Sequence, residues 1–151
     1  MLQKRNTKRA GESGSTLIEF TVVASVFFLM LVSIVAAGNL YYTHNALVEA
    51  TRRGARYAVL HASGGTTAVQ NVVVYGTDAP GQGATSLIYN LQPNNVTVTY
   101  SGLNVASGTV TVTISNYSYP FVVPTLTTSV PMPPYRTTLS GESAGFIPPD
   151  I

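Results

Sequence analysis

The sequence predicts an α+β chain: a long N-terminal α-helix, membrane-spanning in its first half, packed on a small antiparallel β-sheet domain. Three observations carry this expectation. Phe20 to Thr43 is an apolar run without Asp, Glu, Lys or Arg; apolar residues then recur at helical spacing as far as Ala58; and Val96–Tyr100 and Val110–Ile114 alternate β-branched or aromatic residues with threonine. With 151 residues the chain has room for one membrane helix and one small domain.

Residues 1–14 form a basic leader containing Lys4, Arg5, Lys8 and Arg9. Residues 15–60 read as one helix with a transmembrane segment at about 20–43. At about 1.5 Å per residue that segment spans roughly 36 Å, enough to cross a bilayer. The leader charges place the amino end in the cytoplasm and the C-terminal domain outside it; Arg52, Arg53 and Arg56 follow on the far side and narrow that bias. Tyr41 and Tyr42 suit the aromatic belt of the outer interface. No proline interrupts residues 15–60, and the interior glycines, Gly38 and Gly54, each cost about 1 kcal/mol relative to alanine while permitting close helix contact.

Beyond the membrane, Leu40, Leu47, Ala50, Gly54 and Ala58 make a stripe that faces a core. Glu49 is positioned to pair with Arg53 at i,i+4, worth about 0.3–0.5 kcal/mol. The competing reading makes Arg52, Arg53 and Arg56 a candidate surface for a partner's acidic face.

Residues 61–130 are the small β-rich domain. Ser63-Gly64-Gly65 ends the helix. Thr66 to Tyr75 is open between a short helix and a strand, with the helix preferred because Val69, Val72 and Val73 fall at helical spacing. Gly76 to Gly83 reads as a loop. Gly102 and Gly108 join the two alternating strands into a hairpin whose apolar face (Val96, Val98, Tyr100, Val110, Val112 and Ile114) should close on Leu47, Ala50 and Ala58. Pro120, Pro124, Pro131, Pro133 and Pro134 argue against regular central strands, and residues 131–151 read as a Pro-rich extended tail.

Composition removes several classes of function. There is no cysteine, hence no disulfide, thiolate nucleophile or cysteine-based metal site. The net charge of +2 comes from the leader: after Gly14 the chain holds four basic residues and five acidic ones, a balance of −1, which leaves no polybasic surface for nucleic acid. Between Tyr57 and Tyr135 the only Asp, Glu, Lys or Arg is Asp78, a neutral surface suited to packing against like subunits. His44 and His61 lie too far apart on the helix to share a metal, and His44 reads as an interfacial or solvated residue. No phosphate loop, nucleophile elbow or paired carboxylates are found, so neither an enzyme, a cofactor nor a small-molecule substrate is expected. Asn95-Val96-Thr97 and Asn116-Tyr117-Ser118 match the glycosylation pattern within predicted strands and carry no weight.

Glu19 stands at the mouth of the apolar run, in Gly14-Ser15-Thr16-Leu17-Ile18-Glu19-Phe20. An acid at the centre of a membrane helix costs about 2.5–3.5 kcal/mol, less near its end, where a boundary glutamate is tolerated. A cut between Gly14 and Ser15 would make Glu19 the fifth residue of the mature chain, an arrangement that resembles a type IV prepilin leader. Residues 9–20, the apolar run, Gly38-Asn39-Leu40-Tyr41-Tyr42 and Ala50-Thr51-Arg52-Arg53-Gly54-Ala55-Arg56-Tyr57-Ala58 resemble the TadE-like family of tight-adherence (type IVc) pilus pseudopilins and minor pilins. The likeness covers residues 11–60, with shorter echoes at Val72–Gly76, Asn95–Tyr100 and Tyr119-Pro120-Phe121. Ala24-Ser25 replaces the family's early Leu-Pro, so a straighter helix is expected.

The resemblance implies a pilin-like fold and a membrane-anchored structural subunit for assembly of an adhesive pilus. It makes Gly14, Ser15, Glu19 and Phe20 the features read and cut by a prepilin peptidase, with Glu19 also guiding assembly by pairing with a neighbour's amine. The implied partners are that peptidase, other pilins and pseudopilins, the assembly platform and membrane lipid. The implied location is the bacterial inner membrane, with incorporation into a surface pilus. Two alternatives stay open: a secreted binding module cut after Ala37, and a type II secretion pseudopilin, which would share the leader but not Arg52-Arg53-Gly54-Ala55-Arg56-Tyr57.

Overall fold

Helix α1 runs without a break from Arg9 to Leu60, 52 residues or about 78 Å. The computed structural model describes residues 9–61, 65–102, 108–123 and 126–141. Helix α2 (Gly65–Tyr75) follows, so the open segment 66–75 is helical. It stops at Gly76, whose φ of +81° lets its N–H turn back to the Val72 carbonyl at 3.1 Å. A side chain there would strain the cap. The expected loop at 76–83 is present, and the Ser63-Gly64 part of the expected helix stop lies outside the described residues.

Five strands complete the domain: β1 (Val96–Ser101), β2 (Thr109–Ile114), β3 (Ser118–Val123), β4 (Leu126–Pro131) and β5 (Tyr135–Ser140). The main sheet is antiparallel with order β1-β2-β5, and β3-β4 is a separate hairpin inserted between β2 and β5. Val96 faces Ile114, Val98 faces Val112 and Tyr100 faces Val110, the pairing that the alternation predicts. The α+β architecture expected from the sequence is what the structure has.

The second half of α1 lies across β2 and β5, while α2 packs on both α1 and β1. Val96, Val110, Val112 and Ile114 are buried, as are Leu47, Ala50 and Ala58. Val98 and Tyr100 are half-buried. The expectation that the α1 stripe alone covers the sheet is corrected here, because α2 supplies Val69, Val73 and Val74 to the same core. Gly54 is where these layers meet: a Cβ there would collide with Val73 Cγ2 and lie 3.5 Å from Val112 Cγ1 and 3.7 Å from Val69 Cγ1. Only a glycine lets α2 come this close.

The Pro-rich segment beyond 131 is extended, but it is not a loose tail throughout. Residues 135–140 pair with β2 along its whole length, Thr109 with Ser140 through Ile114 with Tyr135. Residues 142–151 lie outside the described residues. Pro120 sits inside β3 opposite Ser129, where a two-stranded sheet leaves each strand a free edge and a missing N–H breaks no central ladder.

Burying a valine side chain is worth about 1.5–3 kcal/mol, and a carboxylate without a partner at the same position adds a desolvation penalty. Val112→Asp should therefore unfold the domain. Thr111→Asp, on the other face, forfeits only the Thr111–Thr138 hydroxyl bond of 2.9 Å, a cost of about 0.5–1.5 kcal/mol. Thermal melts of the full chain in detergent compare them; equal stability would show that the sheet presents its other face to the core.

Candidate functional site

From Leu17 to Ile34, Glu19 apart, α1 presents large apolar side chains on every side. Leu17, Phe20, Val26, Phe28, Met30 and Ile34 are all exposed. Its hydroxyls bond back within the helix: Thr21 Oγ1 donates to Leu17 O at 2.8 Å, Ser25 Oγ to Thr21 O at 2.7 Å, Ser33 Oγ to Leu29 O at 2.8 Å and Thr43 Oγ1 to Asn39 O at 2.9 Å. Each hydroxyl proton is satisfied without water, which an apolar surround requires. This stretch belongs to a helix long and apolar enough to cross a membrane, with a mean hydropathy of 2.6 in its most apolar window.

Gly14, Ser15, Glu19 and Phe20 are all exposed at the start of this surface. A Cβ built on Gly14 would have no neighbour within 4 Å, so packing does not explain the glycine. Ser15 and Glu19 are four residues apart in an unbroken helix and lie on one face, a turn from each other. Among the described residues no ion pair reaches Glu19.

The three arginines do not form one patch. Arg52 is exposed and pairs with Glu49 at 3.9 Å, so the expected Glu49–Arg53 pair is replaced by an i,i+3 contact. Arg53 turns instead to the C-terminal end of α2, donating from Nε to Val72 O at 3.2 Å and from Nη2 to Val73 O at 3.4 Å. There its charge meets the negative end of the helix dipole. Arg56 is exposed. Local spacing could not reveal the role of Arg53, because its acceptors lie 19 and 20 residues away.

His44 is half-buried, with Nδ1 2.8 Å from the Tyr135 hydroxyl and the two rings edge to face. His61 stacks on Tyr57. Among the described residues no group of three or more His, Asp or Glu is arranged to hold a metal. The Tyr57 hydroxyl donates to Asp78 Oδ2 at 3.1 Å. That bond holds the Asp78 carboxyl below its ordinary range, while burial, reinforced by Asp78, pushes the Tyr57 phenol up. The carboxyl's depressed pKa adds stability above the unfolded value near 3.8, and this is lost as pH falls through the folded value. Asn95 is occupied too: its Nδ2 donates to Ser115 O at 3.2 Å and Asn116 O at 3.0 Å, and its Oδ1 accepts from Gln92 N at 3.0 Å.

The decisive comparison concerns the helix itself. Residues 14–56 match the family model of TadE-like proteins. The match begins at Gly14, takes in the exposed apolar surface and ends within the α1 stripe that enters the core. It bears out the resemblance read from residues 11–60, and it does not extend to α2 or the strands. No curated protein and no solved structure matches the chain.

Capping by Arg53 has a measurable consequence. Arg53→Ala should destabilise the domain by about 1–2 kcal/mol, whereas Arg52→Ala, which loses only an exposed ion pair, should stay within about 0.5 kcal/mol of the parent. Denaturant melts of the two variants discriminate the roles; identical midpoints would remove Arg53 from the α2 cap.

Proposed function

We propose that the chain is a membrane-anchored minor pilin or pseudopilin, a structural subunit that helps to assemble a tight-adherence (type IVc) pilus used in surface adhesion. The TadE-like match suggests a pilus-associated, pilin-like protein whose work is structural rather than catalytic. The observation that carries the reading is the placement of Gly14 and Glu19 at the head of an apolar helix whose hydroxyls bond back onto its own carbonyls, inside the matched segment.

In this reading a prepilin peptidase cuts between Gly14 and Ser15. Both residues are helical in the uncut chain, so the peptidase must unwind a turn, and glycine makes that easier by about 1 kcal/mol relative to alanine. The cut frees an amine at Ser15. A carboxylate withdrawn from water is costly alone and much less so beside a positive charge, so Glu19 of one subunit selects the amine of a neighbour as apolar helices gather. The helix holds the subunit in the bacterial inner membrane, amino end cytoplasmic, until the assembly platform and sister pilins take it up. The small domain then lies outside the cytoplasm.

Intact-mass analysis of membrane-extracted protein tests the cut, and the expected mature chain begins at Ser15. A product beginning at Gly38 would indicate a secreted module, and an uncut chain a plain anchor. Gly14→Ala should block processing, whereas Glu19→Ala should spare much of it and reduce surface pili. Normal piliation in the Glu19 variant would remove the assembly role.

A further inference from the structure

The end of the small domain nearest the apolar helix carries exposed, uncharged surface. An open groove of about 410 Å³ is lined by Asn39, Tyr42 and Thr43 of α1 together with Tyr89 of the loop before β1 and Val122 of β3. Tyr42 is 74% exposed, Tyr89 72% and Val122 61%, a high value for large side chains gathered around one groove. None of the residues lining it is charged. A second groove, of about 310 Å³, is lined by Leu40, Tyr41 and His44 with Val130 and Met132, so apolar surface from β3-β4 flanks this stretch of α1 in both grooves.

Tyr89 is held in place by its surroundings. Its carbonyl accepts the buried Tyr117 hydroxyl at 2.7 Å, and the loop is fastened on either side by Leu87 N to Val74 O at 2.8 Å and Leu91 N to Ile88 O at 3.0 Å. The fold therefore holds the Tyr89 backbone in place while the ring stays in the open. Burying such a ring in the domain would be worth more than exposing it to water, unless its surroundings are not water.

We propose that this end of the domain is a docking collar for the phospholipid headgroup layer of the membrane that α1 spans. The inference rests on the anchored reading given above. Its warrant is continuity: the segment read as the span ends at Thr43, shortly before Glu49, the first Asp, Glu, Lys or Arg after Glu19, and Thr43 itself lines the groove, so Tyr89 and Val122 lie beside the stretch where the span would emerge. That depth favours tyrosine, whose ring is apolar and whose hydroxyl reaches headgroups and water. The collar contributes apolar and aromatic contact without any charge to dehydrate. Held there, it sets how deep α1 sits and must be peeled from the bilayer when a subunit leaves the membrane.

The absence of cysteine permits single labels on the full chain. Tyr89→Cys and Val122→Cys report the collar, Phe28→Cys the middle of the span, and Leu60→Cys a point 17 residues past Thr43, about 25 Å along the helix. All four positions are exposed, so labelling should leave the fold intact. Each variant carries an environment-sensitive fluorophore in vesicles of phosphatidylcholine and phosphatidylglycerol. Lipids with a nitroxide on the headgroup should quench the collar labels at least about twofold more than the Leu60 label, and lipids with a nitroxide deep in the acyl chain should quench the Phe28 label. A quenched Phe28 label with collar labels that behave like Leu60 overturns the collar and leaves the anchor standing. An unquenched Phe28 label overturns the anchor itself. Collar labels shielded from aqueous iodide yet untouched by headgroup nitroxide mean that a second copy covers the surface, which also overturns the proposal.

Discussion

One unbroken helix carries two different surfaces, and the rest of the molecule is arranged around that constraint. From Leu17 to Val35 the helix presents large apolar side chains on all sides and turns its hydroxyls onto its own carbonyls. From Leu47 to Val59 it presents a stripe of small residues, Ala50, Thr51, Gly54, Ala55 and Ala58, all buried. The backbone is the same in both halves. What changes is side-chain volume, and volume decides whether a helix surface is approached by lipid or by protein.

The small residues explain how so modest a domain builds a core. With Gly54 at the crossing, Val73 of α2 and Val112 of β2 reach the α1 backbone from two directions. Arg53, the next residue round the helix, then closes the end of α2 from the side, and Thr51 shares a 2.8 Å hydroxyl bond with Thr137 of β5. Three elements, α2, β2 and β5, are thus fastened to about one turn of α1, residues 51–54. The same rigidity keeps Tyr89 and Val122 beside Tyr42, at the base of the domain.

What the sequence made legible is what depends on local spacing. The Gly14–Glu19 motif, the uncharged run and the strict alternation of β1 and β2 each lie within a short window and were readable as such. Helix α2 was ambiguous because Val72, Val73 and Val74 are all buried: a helix with neighbours on several sides loses the one-sided pattern that identifies it. Strand β5 carried its own alternation, Tyr135, Thr137 and Leu139 toward the core, but Pro131, Pro133 and Pro134 just before it read as the start of a loose tail. The destination of Arg53 and the bond from Tyr57 to Asp78 join residues about 20 apart through the fold, and no periodicity announces them. The motif from Gly14 to Glu19, on which the proposed site rests, is different in kind, since all of it lies at one end of a helix.

The division of α1 into two surroundings is tested most directly by a spin-label scan along residues 21–59 in lipid vesicles, reading accessibility to oxygen and to a water-soluble nickel complex. High oxygen accessibility is predicted throughout residues 21–35, without periodicity, and then a helical period beyond Thr43, with Leu47, Ala50, Gly54 and Ala58 closed to both reagents. Nickel accessibility throughout residues 21–35, or a helical period of protection already present there in the isolated chain, would contradict it.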